Sequence, residues 1–279
     1  MSILSIQSAV AYGHVGNSAA VFPLQRLGHE VWPVDTVQLS NHTGYGSVRG
    51  RAWDAAAIAA VIRGIGERGA LTQCDAVLSG YLGEVALGEA VLEAVAATKA
   101  ANPAALYCCD PVIGDDHSGV FVRPGLAEFF RDRAIPAADI LTPNRFELAL
   151  LAGCEVRRVE DALAATAMLR ARGPRLVLAT SLGGGNEIAM LAAGADGAWL
   201  VATRRLPIIA NGAGDLTAAL FLGYFLKTRD TAEALAATAS AVYAVIEATM
   251  RSGERELQII AAQDSMTAPP RRFAVRRVA

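Results

Sequence analysis

Cysteine and long apolar runs are both scarce in this chain. Its four cysteines show no Cys-x-x-Cys spacing, which argues against a zinc site or a redox motif. The longest apolar run, Ala218 to Leu226, is far shorter than the roughly 20 residues of a membrane-spanning helix. Basic and acidic residues nearly balance, at 25 against 27, so the charge indicates no nucleic-acid or membrane partner. Small-molecule chemistry remains as the expected class of activity.

The length of the chain and its first residues indicate its organisation. A chain of 279 residues suits one large α/β domain, and we expect a single domain over residues 1–279. The opening Met-Ser-Ile-Leu-Ser-Ile-Gln has neither the basic region nor the long apolar region of a targeting peptide. We therefore expect a cytoplasmic protein.

Short apolar runs alternate with segments of helical spacing along most of the chain. This alternation predicts a mostly parallel sheet with helices on both faces. The runs that predict parallel strands are residues 3–6, 31–37, 76–78, 106–109, 140–141 and 176–179. Two later runs, 187–191 and 199–201, predict antiparallel strands, and residues 231–250 and 256–262 predict helices. The arginine-rich tail from Arg271 to Val278 predicts a solvated final strand.

Polar side chains follow these predicted strands by one to three residues. They are Ser8, Tyr81, Asp110, Thr142 with Asn144, and Thr180 with Ser181. The carboxyl ends of parallel strands share one edge of a sheet, and open α/β folds bind their ligands there. For any one of these residues ordinary turn chemistry is an alternative, since Ser, Thr, Asn and Asp all favour turns. Together they predict a binding site along that edge.

The stretch Asn211-Gly212-Ala213-Gly214-Asp215 precedes a segment that is apolar on nearly every face. This pattern predicts a buried helix whose N-terminal N–H groups and dipole suit a phosphate or a developing anion. Asp215 then lies in the first turn, where a phosphoryl-transfer enzyme needs a group to accept the proton of an attacking hydroxyl. The alternative is that Asp215 simply caps the helix.

Six motifs in order resemble those of the pyridoxal kinases of the ribokinase-like superfamily, and most closely the bacterial pyridoxamine/pyridoxal kinase subgroup. The motifs are Ile6-Gln7-Ser8 with Gly13-His14-Val15-Gly16-Asn17, Val37-Gln38-Leu39-Ser40-Asn41-His42-Thr43, Ser79-Gly80-Tyr81-Leu82-Gly83, Cys109-Asp110-Pro111-Val112-Ile113-Gly114-Asp115, Thr142-Pro143-Asn144-Arg145-Phe146-Glu147 and Gly212-Ala213-Gly214-Asp215. The resemblance implies a three-layer α/β/α sandwich without a large separate lid domain. It also implies transfer of the γ-phosphoryl group of ATP to the 5′-hydroxymethyl group of pyridoxal, and of pyridoxine and pyridoxamine.

The resemblance assigns roles residue by residue. Asp215 is implied as the catalytic base, with Gly212, Ala213 and Gly214 forming the anion hole. The residues implied to bind the vitamin are Ser8, Val37, Leu39, Thr43, Gly44, Tyr81 and Asp215. The residues implied to bind ATP are Asp110, Thr142, Asn144, Glu147, Thr180, Ser181, Gly212 and Gly214. Asp110 and Glu147 are also implied to organise Mg²⁺.

The resemblance further implies a homodimer and leaves open a monovalent cation such as K⁺. The segment from Thr203 to Ala210 is several residues shorter than in close relatives, which leaves the adenine and ribose contacts unassigned. Two alternative functions stay open: a hydroxymethylpyrimidine kinase of the same superfamily, and a protein that binds vitamin B6 without turnover. A dinucleotide-binding oxidoreductase is disfavoured, because Gly212-x-Gly214 lacks the third glycine of that motif.

Overall fold

The computed structural model describes residues 1–270 and 272–279, so Arg271 of the predicted final strand lies outside the described residues. Within these described residues, ten strands form one sheet in the order β12-β11-β10-β9-β8-β5-β4-β1-β2-β3, and β6 and β7 form a separate hairpin. The strands are β1 (Ser2–Val10), β2 (Glu30–Leu39), β3 (Gly50–Ala52), β4 (Cys74–Ser79), β5 (Leu106–Cys109), β6 (Gly114–Asp115), β7 (Gly119–Val120), β8 (Ile140–Leu141), β9 (Leu176–Leu182), β10 (Glu187–Gly194), β11 (Gly197–Arg204) and β12 (Arg276–Arg277).

The centre of the sheet is parallel and its margins are antiparallel. Parallel pairing joins β2, β1, β4, β5, β8 and β9 in that spatial order. Antiparallel pairing adds β10, β11 and β12 at one margin and β3 at the other. The predicted mostly parallel sheet is confirmed, and so are the two predicted antiparallel strands.

Helices cover both faces of the sheet and give the predicted three layers. They are α1 (Asn17–Arg26), α2 (Ala55–Glu67), α3 (Val85–Ala101), α4 (Leu126–Phe129), α5 (Ile135–Ala137), α6 (Arg145–Ala152), α7 (Val159–Arg170), α8 (Ala213–Thr228), α9 (Thr231–Ser252) and α10 (Gln263–Thr267). A π-helical turn, Phe130–Ala134, joins α4 to α5. One core cluster contains side chains of α2 to α7, and the other contains side chains of α1, α8, α9 and α10.

Helix α8 is the most enclosed helix of the second layer. Every residue from Leu216 to Tyr224 is buried, which explains why this segment is apolar on all sides. Helix α8 packs chiefly against α9 and α1. Among the described residues, no helix combines the length and apolarity needed to cross a bilayer.

Three sequence predictions about element bounds are wrong. Strands β1 and β9 run past their predicted ends, so Ser8, Thr180 and Ser181 lie inside strands instead of after them. The predicted helix over residues 256–262 is absent, and α10 begins only at Gln263. Leu257 and Ile259 are fully buried in the core beneath α9. Burial of these alternate side chains holds the segment in an irregular conformation.

Candidate active site

The N-terminus of α8 opens onto the carboxyl edge of the sheet. Its N-cap residue is Gly212, which has φ 83° and no side chain to occupy the first N–H groups. A Cβ atom at Gly212 would overlap the carbonyl oxygen of His14, so only glycine fits there. Gly214 is exposed and faces open space. The helix therefore presents its positive end to the cleft, as an anion site requires.

Asp215 lies in the first turn of α8 but does not cap it, so the capping alternative is wrong. Its half-buried carboxylate accepts hydrogen bonds from the N–H of Gly16 and from its own N–H. Loss of water contact raises the pKa of Asp215 to about 6, although these two hydrogen bonds oppose the shift. A carboxylate that titrates near neutral pH suits a general base.

Asp110 lies directly after β5 and is buried beside Asp215. The hydroxyl of Thr142 donates a hydrogen bond of 2.8 Å to its Oδ1 atom. Burial raises the pKa of Asp110 to about 8, and the negative charge of Asp215 adds to that rise. Asp215 is thus close enough to Asp110 for its charge to act on that carboxyl group.

Glu147 is the second buried acid, and the start of α6 fixes its position. Asn144 caps α6 by accepting from the Glu147 N–H, while Glu147 Oε2 accepts from the Asn144 N–H at 2.9 Å. Glu147 Oε1 accepts from the N–H groups of Ile113 at 2.8 Å and Gly114 at 3.3 Å. Burial raises the pKa of Glu147 to about 8, and the charge of Asp110 contributes. We call Asp110, Thr142, Asn144 and Glu147 the acidic side of the cleft.

Thr180 and Ser181 adjoin the acidic side at the end of β9. The Thr180 N–H donates to the carbonyl oxygen of Pro143 at 2.9 Å, and Thr180 pairs with Asn144 in an isolated parallel β-bridge. Ser181 has φ 58°, in the left-handed region that serine rarely adopts. Such backbone strain costs on the order of 1–3 kcal/mol and is found most often at functional sites. This strain supports a ligand-binding role for the end of β9.

The other predicted site residues form what we call the loop side: Ser8, Val37, Leu39, Thr43, Gly44 and Tyr81. Ser8 lies at an irregularity in β1, where pairing with β2 shifts register between Gln7 and Ala9. A Cβ atom added to Gly83 would contact both Val37 and Tyr81, so these two side chains are neighbours. Thr43 and Gly44 are exposed on a 3-10 turn, Thr43–Tyr45. A Cβ atom added at Gly44 would lie 3.9 Å from the side-chain nitrogen of Asn211, so this turn lies close to the start of α8.

Sequence reasoning missed two parts of the site. One is the Gly16 N–H that holds Asp215; a glycine in a loop gives no local signal of its distant partner. The other is a cavity of about 190 Å³ beside the N-terminus of α8, in the region left unassigned by the sequence. Its lining is mainly apolar and comes from β10, β11, α9 and the segment before α8; it includes Met190, Thr203, Ile208, Ala213, Val242 and Ile246.

Comparison with known proteins identifies the fold and the family. A family model described as phosphomethylpyrimidine kinase matches residues 42–259. The pyridoxal kinase PdxY of Rubrobacter xylanophilus is 61% identical over 284 aligned residues, covering 100% of this chain and 98% of the relative. That of Granulibacter bethesdensis is 52% identical, with 96% and 97% covered. The pyridoxal kinase of Leishmania donovani in complex with ADP and pyridoxamine superposes with TM-score 0.94 at 28% identity, covering 100% of this chain and 99% of that one.

These findings define the fold as that of the ribokinase-like α/β kinases, and the part of the chain that the structure describes contains no separate lid domain. The chain belongs to the pyridoxal kinases within the family that the model describes. The resemblance stated from the six sequence motifs is therefore confirmed.

Proposed function

We propose that this protein transfers the γ-phosphoryl group of ATP to the 5′-hydroxymethyl group of pyridoxal, and to that of pyridoxine and pyridoxamine. The single observation that carries the proposal is Asp215 at the open end of α8, held by the Gly16 N–H beside a pair of buried acids. The Leishmania donovani enzyme has been solved with ADP and pyridoxine as well as with ADP and pyridoxamine. Relatives covering nearly the whole chain are pyridoxal kinases.

Asp215 acts as the base in the proposed reaction. Phosphoryl transfer passes through a loose transition state, so the protein mainly aligns the reactants and offsets charge. Asp215 accepts the hydroxyl proton as the oxygen attacks the γ-phosphorus, and the bond from that phosphorus to the bridging oxygen of ADP breaks. The N–H groups of Gly212, Ala213 and Gly214 at the helix end stabilise the transferring phosphoryl group.

Asp110 and Glu147 fit a divalent cation. Burial is the main cause that raises the pKa of both carboxyl groups, and neither forms an ion pair with a basic side chain among the described residues. The described chain holds no group of three or more His, Cys, Asp and Glu side chains suited to a metal, so phosphate and water oxygens would complete the ligand set. Glu147 already accepts three N–H bonds, which favours contact through water. Mg²⁺ bound there would offset the negative charge of the ATP phosphates.

The nucleotide is proposed to lie across the acidic side and the 190 Å³ cavity. Thr142, Asn144, Thr180 and Ser181 are proposed to face the phosphates. The cavity adjoins Ala213, so a base held in its apolar interior would direct its phosphates toward the end of α8. This arrangement supplies the adenine contacts that the shortened segment before Gly212 left unassigned.

The vitamin is proposed to bind on the loop side. Val37, Leu39 and Tyr81 would pack around the pyridine ring, while Ser8, Thr43 and Gly44 would hydrogen-bond its nitrogen and substituents. This position brings the 5′-hydroxyl to Asp215. We also propose a homodimer and a cytoplasmic location, and a dependence on a monovalent cation such as K⁺ is part of the same proposal.

A second candidate substrate comes from the family model, whose description names phosphomethylpyrimidine kinase. The deciding experiment incubates the purified protein with MgATP and, separately, pyridoxal, pyridoxine, pyridoxamine and hydroxymethylpyrimidine, and measures each phosphorylated product. We expect the B6 vitamers to be phosphorylated with the higher kcat/KM. Preference for hydroxymethylpyrimidine would favour the second candidate. Tight binding of pyridoxal without any product would indicate a non-catalytic binding protein.

A further inference from the structure

The segment that follows α9 joins two loops of the cleft that lie far apart in the sequence. Glu256 is only 8% exposed. Its Oε1 atom accepts a hydrogen bond of 2.6 Å from the Tyr45 hydroxyl, and its Oε2 atom accepts one of 3.0 Å from the His14 N–H. The bond to Glu256 raises the pKa of Tyr45 to about 12, so the phenol remains a donor at neutral pH. One carboxylate thus fixes the turn Thr43–Tyr45 relative to the loop before α1.

Arg255 strengthens the same link from the outside. Its guanidinium lies over the Tyr45 ring, 4.3 Å from the ring centroid, and its Nη2 atom donates to the Gly44 carbonyl at 3.3 Å. We call Arg255 and Glu256 together the clasp.

The clasp has a rigid base. Leu257 is fully buried in the core, and the Gln258 N–H donates to the Thr249 hydroxyl of α9 at 3.0 Å. On the opposite side, Gly13 has φ 97°, and a Cβ atom there would overlap the Glu256 carboxylate. The carboxylate therefore lies directly against the backbone of the loop that it holds.

Both loops that the clasp holds lead to the reacting groups. The turn Thr43–Tyr45 carries Thr43 and Gly44, and both are exposed. The His14 carbonyl touches Gly212, and the Gly16 N–H bonds Asp215. We propose that Glu256 is a positioning residue that fixes the position of the vitamin-binding turn relative to the N-terminus of α8. This inference rests on the proposed function.

This role predicts a selective kinetic defect. Removing the carboxylate in Glu256→Ala frees the turn on the vitamin side, whereas the lining of the proposed nucleotide cavity includes neither Arg255 nor Glu256. We expect KM for pyridoxal to rise about 10- to 100-fold, as for loss of hydrogen bonds to a charged group, while KM for MgATP stays within about twofold. The variant Glu256→Gln should recover most of the wild-type KM, because its amide oxygen accepts from His14 and its NH₂ group donates to the Tyr45 oxygen.

A second variant removes the donor of the Tyr45–Glu256 hydrogen bond and leaves the buried Glu256 unchanged. Tyr45→Phe removes only the hydroxyl, and we expect KM for pyridoxal to rise about 3- to 10-fold. The double variant Tyr45→Phe/Glu256→Ala should be no worse than Glu256→Ala alone, since both changes break one interaction. Glu254→Ala is the matched control: it removes an exposed acid from the same segment and should leave both KM values unchanged.

The outcomes separate this inference from the proposed function. If the wild-type protein forms no pyridoxal phosphate from MgATP, the proposed function fails and the inference fails with it. If the wild type is active but Glu256→Ala and Tyr45→Phe leave KM for pyridoxal unchanged, only the positioning role is overturned. Equal rises in both KM values, without recovery in Glu256→Gln, would indicate a general structural role and would also overturn it. Thermal unfolding of each variant accompanies the kinetics.

Discussion

The acidic side of the cleft is built from neighbouring strand ends, whereas the loop side depends on contacts between remote segments. On the acidic side, Thr142 and Asp110 are 32 residues apart, and Asn144 and Glu147 are 3 apart within one capping box. On the loop side, Glu256 contacts Tyr45 across 211 residues and His14 across 242. Two adjacent strands, β5 and β8, and the capping box of α6 thus position the acidic side. The loop side is therefore where a single distant substitution should alter substrate binding most selectively.

Asp215 lies between the two sides, and its replacement is expected to have the largest effect. Asp215→Asn keeps the shape of the side chain but removes the proton acceptor. We expect kcat to fall by about 10² to 10⁴ with little change in vitamin affinity. Steady-state and single-turnover kinetics would measure this, with pyridoxal binding and thermal unfolding as controls. Near-wild-type turnover would contradict the assignment of Asp215 as the base.

The same contrast explains how much the sequence revealed. Apolar runs bounded by polar residues predicted β5, β8 and the buried helix α8, because those elements depend on local pattern and burial. The acidic-side residues could be proposed for the same reason. Tertiary contacts decided the rest: burial of Leu257 and Ile259 prevents the helix predicted over residues 256–262. No local signal identifies Glu256 as the partner of Tyr45.

Glu147 tests whether the acidic side acts through the metal. Glu147→Ala removes a buried carboxylate whose pKa is raised in part by the charge of Asp110. We expect the Mg²⁺ concentration for half-maximal activity to rise about tenfold, because loss of an outer-shell metal partner weakens metal binding by roughly that factor or more. KM for pyridoxal should change far less. Titration of activity with Mg²⁺ at saturating ATP measures the effect, and a loss of pyridoxal binding with unchanged metal dependence would contradict it.

The cavity beside α8 allows a nucleotide-specific change that leaves both sides of the cleft intact. Thr203→Trp would fill part of its 190 Å³, so KM for ATP should rise roughly tenfold while KM for pyridoxal is unaffected. Ala202→Trp is a matched control, because Ala202 is exposed and adjacent side chains on β11 point to opposite faces. An equal loss of ATP affinity in both variants would argue against a base in this cavity.

The smallest expected effect concerns stability and exploits the raised pKa values of the acidic side. Asp110 and Glu147 each have a pKa of about 8 in the folded protein, against 3.8 and 4.5 for the unperturbed groups. The folded state therefore holds protons that the unfolded chain has released. Their contribution to stability is fully present below about pH 4 and is lost as the pH rises through about 8.

Asp110→Asn removes one of these titrations while keeping an acceptor for the Thr142 hydroxyl. We expect wild type and variant to have similar stability near pH 4, where Asp110 is largely protonated in the folded and the unfolded state, and the variant to be more stable by about 1–3 kcal/mol at pH 8.5. Denaturant unfolding at the two pH values without metal measures the difference. Added Mg²⁺ should stabilise the wild type more than the variant at pH 8.5, since binding offsets the charge that the variant lacks. A variant that is equally destabilised at both pH values would show that Asp110 is not held protonated by its surroundings. The coupling between the two buried acids would then be too weak to explain the acidic side as a site for a cation.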